Sequence, residues 1–337
     1  MLNVLSGVGL TVAVAIFLAS AVAVVFLGGY LAKYGDALAS LTGWGRLFVG
    51  SILVALATSL PEVSNNITAV RIDNPQLALG DVLGSNMFNI LTLGMVALLF
   101  GGKRFLQRVA PEQGYLILLA AVLTGLAVVA MFANSGVHVW QVGLSSIIIL
   151  VAYLVGMWIV YNRRPSAAND EGGGESGITL RRAWIMFILV SLGVIVSGVL
   201  LAQSVDRIAH VTGVSSGVLG ILAVALVTSM PEISATFAAA RLGAADLGFA
   251  GVYGSCVFNI TILAYADFFY RKGVVVNTAD PEHYIAGVIA LGLIIWGGVL
   301  LWGRNLPQPL IMGGLALMLL VTIGGAVWVA LLGAPSH

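Results

Sequence analysis

The sequence predicts an all-α integral membrane fold: ten transmembrane helices forming two inverted five-helix repeats, with helices 2 and 7 broken near their middles. Three observations predict it. The chain is 60% hydrophobic and 9% charged, against about 45–50% apolar and about 25% charged in soluble domains. Stretches of the roughly 20 apolar residues that cross a bilayer recur along its whole length. A polar-studded segment of the second stretch also reappears 170 residues later in the seventh.

A core of 337 residues cannot hide so much apolar surface from water, whereas lipid can cover it. The net charge of +1 gives no footprint for nucleic acid. The single cysteine, Cys256, excludes an intramolecular disulfide. The apolar N-terminus, Met1 to Tyr30, lacks the basic start and cleavage site of a signal peptide and is expected to stay as the first helix.

The spans are expected at Val8–Leu31, Gly45–Val70, Leu77–Phe100, Gly114–Phe132, Val139–Val160, Trp184–Leu201, Ser215–Ala240, Leu247–Tyr270, Tyr284–Leu301 and Leu310–Leu332. Between the fifth and sixth lies NRRPSAANDEGGGESG, a flexible linker by composition. It divides the chain into a first repeat (1–161), a linker (162–182) and a second repeat (183–337). Loops after odd-numbered spans carry 11 Lys and Arg, and those after even-numbered spans carry 4. By the positive-inside rule both termini face outward and the Asn162–Arg182 linker is cytoplasmic, in a cell inner or plasma membrane. Trp140, Trp184 and Trp302 are expected as interfacial anchors. Asp36, Asp206, Asp246, Asp267 and Asp280 fall near span ends, where solvation is the expectation.

The repeat carries the chemistry. Val54-Ala-Leu-Ala-Thr-Ser-Leu-Pro-Glu62 matches Val224-Ala-Leu-Val-Thr-Ser-Met-Pro-Glu232, and Gly84-Ser-Asn-Met-Phe-Asn-Ile90 matches Gly254-Ser-Cys-Val-Phe-Asn-Ile260. Val54 to Leu93 shares 18 of 40 ungapped positions with its copy. The shared residues include Thr, Ser, Pro, Glu, Asn and Arg, the types a span should avoid. Five spans separate the copies, so the second crosses in the opposite sense. Inverted repeats of this kind place their sites at the midplane, where interrupted helices meet.

Glu62 and Glu232 each sit in an apolar span, where a carboxylate costs roughly 3 kcal/mol even on the lenient insertion scale. The structural alternative is a protonated or paired carboxylate. No basic residue lies in either span to pair with them, and a bound cation would neutralise both. Pro61 and Pro231 remove an N–H and crowd the preceding turn. The carbonyls of Ala57 and Val227 thereby lose their partners, and those around Thr58 and Thr228 are expected to turn inward. Two carboxylates and freed carbonyls give six to eight oxygens, a set suited to Ca²⁺. The four histidines, expected in loops or at the terminus, give no soft-metal set. Ser85 and Asn89, four apart, share one helix face, as do Ser255 and Asn259. Their structural alternative is interhelical hydrogen bonding. Gly84 and Gly254 let helices approach closely.

At these residues the chain resembles the cation/calcium exchanger superfamily, and within it the prokaryotic sodium/calcium exchangers. T-S-x-P-E and G-S-x-x-F-N look like its paired repeats, and the resemblance covers essentially the whole chain. It implies that Glu62 and Glu232 ligate calcium and sodium, and that Thr58 and Thr228 offer backbone carbonyls. It also implies that Ser59 and Ser229 flank the ion path, and that Ala55 and Ala225 offer carbonyls to flanking sodium positions. Ser85, Ser255, Asn89 and Asn259 would complete the polar cluster. The sequence departs from the pattern at Ala57 and Val227, at Asp81 and Gly251, and at Cys256. Asp81 is either a third acid or part of a polar edge.

The expected function is a secondary antiporter exchanging Ca²⁺ for Na⁺ by alternating access, without cofactor or enzymatic activity. A Ca²⁺/H⁺ antiporter on the same scaffold is the alternative. Proton-coupled relatives usually carry Gly-Asn where this chain has Thr-Ser. An intramembrane enzyme using Glu62 and Glu232 as acid and base could work chemically, but no nucleophile with an adjacent histidine and no His-rich metal motif supports it. A passive channel fits inverted halves less well than alternating access. The expected partners are the transported ions and the bilayer, and the sequence leaves the oligomeric state open.

Overall fold

Residues 5, 7–139, 142–163, 177–212 and 226–332 are described by a computed structural model. Nine helical spans among them are long and apolar enough to cross a membrane. Helix α1 (Leu10–Thr42) is followed by a continuous helical span of α2 (Gly45–Phe48), a π-helical turn (Val49–Val54) and α3 (Ala55–Arg71). Then come α4 (Pro75–Leu99), a short α5 (Lys103–Gln107), α6 (Gln113–Ala133) and α7 (Leu144–Asn162). After the linker follow α8 (Leu180–Thr212), α9 (Met230–Arg241), α10 (Ala245–Phe269), α11 (Pro281–Trp302) and α12 (Gln308–Leu332). Of the expected seventh span, Ser215–Ala240, residues 213–225 lie outside the described set.

Local chemistry sets several boundaries. Gly43 adopts the left-handed conformation (φ 70°) that ends α1. Asn74 accepts a hydrogen bond from the Leu77 N–H and precedes Pro75, a cap-and-proline start for α4. Asp280 and His283 form a capping box at α11. Two short antiparallel strands, His138–Val139 and Val142–Gly143, delay the expected fifth span to Leu144. The 33 residues of α1 and of α8 would each span about 50 Å, more than the roughly 30 Å hydrocarbon layer, so these helices tilt or protrude.

Layering follows from burial. Helix α10 is buried almost throughout and packs on α3, α4, α6, α7 and α9. Helices α1 and α8 lie along one another at the side and cover α3 and α9. Their outer faces, with Val22, Phe26, Leu189 and Val196, are exposed apolar surface, which is the lipid-facing pattern.

Three expectations are corrected. Helix 2 is not broken at Pro61: α3 runs through it, and the irregularity is the π-helical turn upstream, at Val49–Val54. The proline loses one backbone bond but not its packing. Its ring fills the space above Gly198 of α8, where a Cβ would come within 2.5 Å of Pro61 Cγ. Helix 7 does interrupt at the motif: residues 226–228 are helical, Ser229 turns, and α9 restarts at Met230 with Pro231 in its first turn. Asp36 and Asp267 are buried rather than solvated. Asp36 pairs with Arg46 at 2.6 Å. Asp267 accepts from the Gly143 and Val275 N–H groups and from Ser146 Oγ, tying the second short strand and the loop after α10 to the core. Asp246 likewise accepts from the Ala110 N–H. Finally, His210 and His283 are helical rather than in loops. His283 is occupied, accepting from the Asp280 N–H and lying 2.9 Å from the Gln76 carbonyl. The Asp206 side chain, Trp140 and His337 lie outside the described set.

Candidate ion-binding site

The two motif helices and the two small-residue helices meet at the centre of the protein. Helix α3 brings Ala55, Thr58, Ser59 and Glu62, α4 brings Ser85 and Asn89, and α10 brings Ser255 and Asn259. Residues 226–229 and the first turn of α9 bring Thr228, Ser229 and Glu232. All are buried, with Glu62 1% and Glu232 2% exposed. Ala225 lies outside the described residues.

The contacts run between the halves. Ser59 Oγ donates to Glu232 Oε1 at 3.0 Å, and Ser255 Oγ donates to the same oxygen at 3.2 Å. Thr58 Oγ1 lies 3.4 Å from Ser255 Oγ and 3.1 Å from the Val54 carbonyl. Its hydroxyl also reaches the Ala55 carbonyl at 3.2 Å, so that carbonyl already has a partner. Helices α4 and α10 are stitched by Asn259 Nδ2 donating to Asn86 Oδ1 and by Asn86 Nδ2 donating to the Cys256 carbonyl. On another face α10 lies close against the π-helical turn. A Cβ on Gly254 would fall 2.5 Å from Ser51 Cα and 2.6 Å from the Ser51 carbonyl oxygen.

The arrangement is lopsided. On the Glu232 side two hydroxyls are engaged. On the Glu62 side the counterparts, Ser229 Oγ and Ser85 Oγ, have no hydrogen-bond partner, and neither has either carboxylate oxygen of Glu62. Glu232 Oε2, Asn89 Oδ1 and Asn259 Oδ1 are unpartnered too. Burying such oxygens unsatisfied costs about 1–3 kcal/mol each, more for a charge. No Lys or Arg lies in α4, in α10, or in α3 and α9 before their terminal Arg71 and Arg241. The protein therefore supplies negative charge and oxygen donors without a cation of its own. That donor set suits a hard, oxygen-seeking cation.

One residue is more central than the sequence indicated. Asp81, 1% exposed, is a third acid of this cluster: its Oδ2 accepts from Asn65 Nδ2 at 3.0 Å and from Asn66 Nδ2 at 2.7 Å. It neighbours Glu62 and the Thr228 side chain. Asn65 and Asn66 were missed in the sequence because their repeat equivalents are Ala235 and Thr236. Only an asymmetry search of the repeat would have found them. Among the described residues the acid and histidine group whose ligand atoms lie closest together is a separate one, Asp280, Glu282 and His283. Its histidine is consumed by helix capping.

A membrane-embedded protein built around a buried cluster of carboxylates and neutral oxygens is what the fold and site define. The family model described as sodium/calcium exchanger protein matches residues 12–161 and 182–332. The chain belongs to that family, whose members are transporters and not enzymes. It is 27% identical to inner membrane protein YrbG of Escherichia coli over 332 residues, covering 95% of this chain and 96% of that one. It is 34% identical over 95 residues, 28% of this chain and 27% of the relative, to sodium/calcium exchanger MaX1 of Methanosarcina acetivorans. Among solved structures it is similar to the sodium-calcium exchanger NCX_Mj soaked with 10 mM Na⁺ and zero Ca²⁺. There the TM-score is 0.72 at 20% identity, over 95% of this chain and 99% of that one, a likeness of fold.

Proposed function

We propose that the chain exchanges Ca²⁺ for Na⁺ by alternating access, with Ca²⁺ held between Glu62 and Glu232. The observation that carries this reading is the buried cluster in which both glutamates keep unpartnered oxygens and no protein cation answers them. In this reading Ser59, Ser229, Ser85, Ser255, Asn89 and Asn259 supply neutral oxygens, and Thr58, Thr228, Ala55 and Ala225 shape the path with their backbones. The freed carbonyl of Ala57, opposite Pro61, adds one more donor.

The ten-span layout as two inverted halves, 1–161 and 183–337 joined by the 162–182 linker, belongs to the same proposal. The offset of 170 between the motifs supports it, and the two matched stretches of the family model fall on either side of the linker. The charge count supports outward termini and a cytoplasmic linker.

Two ionised glutamates cannot cross between access states empty, since that restores the cost of a bare charge at the membrane centre. The return step must carry Na⁺ or protons. The surrounding hydroxyl and amide oxygens are surplus to a proton and useful to Na⁺, which favours sodium. Ca²⁺ uptake into proteoliposomes, with Na⁺ and pH gradients imposed separately, tests this. A Na⁺ gradient at constant pH should drive Ca²⁺ movement in the opposite direction. Uptake that ignores Na⁺ and follows pH would replace the sodium reading with the Ca²⁺/H⁺ antiporter.

A further inference from the structure

The two halves of the cluster are not equivalent, and the difference is chemical. One turn beyond Glu62, toward the turn joining α3 to α4, stand Asn65, Asn66 and Asp81. At the equivalent positions of the second half stand Ala235, Thr236 and Gly251, which line a small cavity beside Glu232. A carboxylate and two amides on one side thus correspond to a methyl, a hydroxyl and a hydrogen atom on the other.

The first side is built. Asn66, fully buried, donates to the Glu62 carbonyl at 2.8 Å and to Asp81 Oδ2 at 2.7 Å, so its amide sits between the two acids. Asn65 donates to the same Asp81 oxygen. With both amides on Oδ2, Asp81 Oδ1 has no partner, and neither has Asn66 Oδ1. Both oxygens of Glu62 are unpartnered as well. An ionised carboxylate and an amide oxygen can only accept, and although the Thr228 side chain reaches both acids from the other half, these acceptors outnumber the donors beside them. A cation is the species that fits.

We propose that Asp81, Asn66 and Glu62 form a second cation position, on one side of the glutamate pair only, that takes Na⁺. This rests on the exchange reading above. The choice of a monovalent ion follows from charge. Glu62 and Glu232 together balance one divalent ion, and Asp81 adds a single negative charge, which one Na⁺ neutralises. A second Ca²⁺ there would leave one positive charge uncompensated in the span. Gly251 leaves the second half without a counterpart.

Equilibrium binding separates this position from the shared Ca²⁺ site. Radiolabelled Na⁺ and, independently, Ca²⁺ would be titrated into the purified full chain in lipid nanodiscs, for wild type, Asp81→Asn and Asn66→Ala. Asp81→Asn keeps shape and an acceptor for Asn65, and Asn66→Ala reaches the same position from another helix, so the test survives if one variant misfolds. Both should lower Na⁺ affinity by about tenfold or more, and change Ca²⁺ affinity by less than about threefold. Unchanged Na⁺ binding would make Asp81 a structural clamp and overturn the proposal. So would an equal loss of Ca²⁺ affinity, which would make Asp81 a ligand of the central ion, and so would a wild type that binds no Na⁺. A chain that binds Na⁺ through Asp81 but no Ca²⁺ would support the position and sink the exchange reading.

Discussion

Replacing either Glu62 or Glu232 with Gln should abolish Ca²⁺ exchange while leaving the protein folded. Each substitution keeps the side-chain volume and removes one of the charges that balance a divalent ion at a depth where charge is costly. The expected loss of Ca²⁺ affinity is at least about a hundredfold, or ~2.7 kcal/mol. The two variants should differ in stability. Glu232 Oε1 accepts from Ser59 and Ser255, and an amide can accept those bonds only with its oxygen turned toward them. Glu62 has no serine engaged on it, Ser85 Oγ and Ser229 Oγ being unpartnered, and removing its buried charge should raise the thermal midpoint of the ion-free protein. Flux assays and thermal melts of the two variants in Ca²⁺-free buffer check both statements. Either variant exchanging at near wild-type rate would remove that glutamate from the site.

Gly254→Val should be equally damaging by a different route. The added carbon would lie within 2.6 Å of two backbone atoms of Ser51 and 2.9 Å from Ala55 Cβ. Backbone cannot rotate away, so α10 must move off the π-helical turn and α3. Overpacking of this kind costs typically 1–3 kcal/mol. The same shift would draw Ser255 away from Glu232 and open the joint between the halves. A lower melting midpoint together with lost Ca²⁺ binding is expected. Gly251→Ala, one turn earlier on α10, is the control. Its Cβ would meet only Val54 Cγ1, at the ordinary distance of 3.6 Å, and it should melt like the wild type.

The spans were legible because lipid imposes a length and a composition on each, and the observed helices start and stop within a few residues of most expected bounds. The first and sixth were not, since α1 and α8 continue well past their apolar stretches to Thr42 and Thr212. The α1 extension is stabilised by packing on the start of α8, around Ala183 and Phe187, and by the Asp36–Arg46 pair, and the α8 extension is tied to the start of α1 by Arg207 donating to the Val8 carbonyl, contacts that a window of hydropathy does not sense. Glu62, Glu232 and their serines were found because the same rare polar types recur at one offset. Asp81 was seen but could not be placed, and its partners Asn65 and Asn66 were passed over, because a search for repetition discards what is not repeated. The break at Pro61 was misplaced for a related reason. Proline dictates the loss of one hydrogen bond, but whether the helix parts there depends on what fills the gap, and Gly198, far away in the chain, lets the ring pack against α8.

The central claim is that one cation is shared by the glutamates of the two halves. Calorimetric titration of Ca²⁺ into purified wild type, Glu62→Gln, Glu232→Gln and the double variant, at saturating protein stability and fixed ionic strength, tests it most directly. A shared site predicts that each single variant loses the high-affinity Ca²⁺ isotherm entirely and that the double variant is no worse. Two independent sites would contradict it: each single variant would then keep half of the wild-type stoichiometry at unchanged affinity, and only the double variant would bind none.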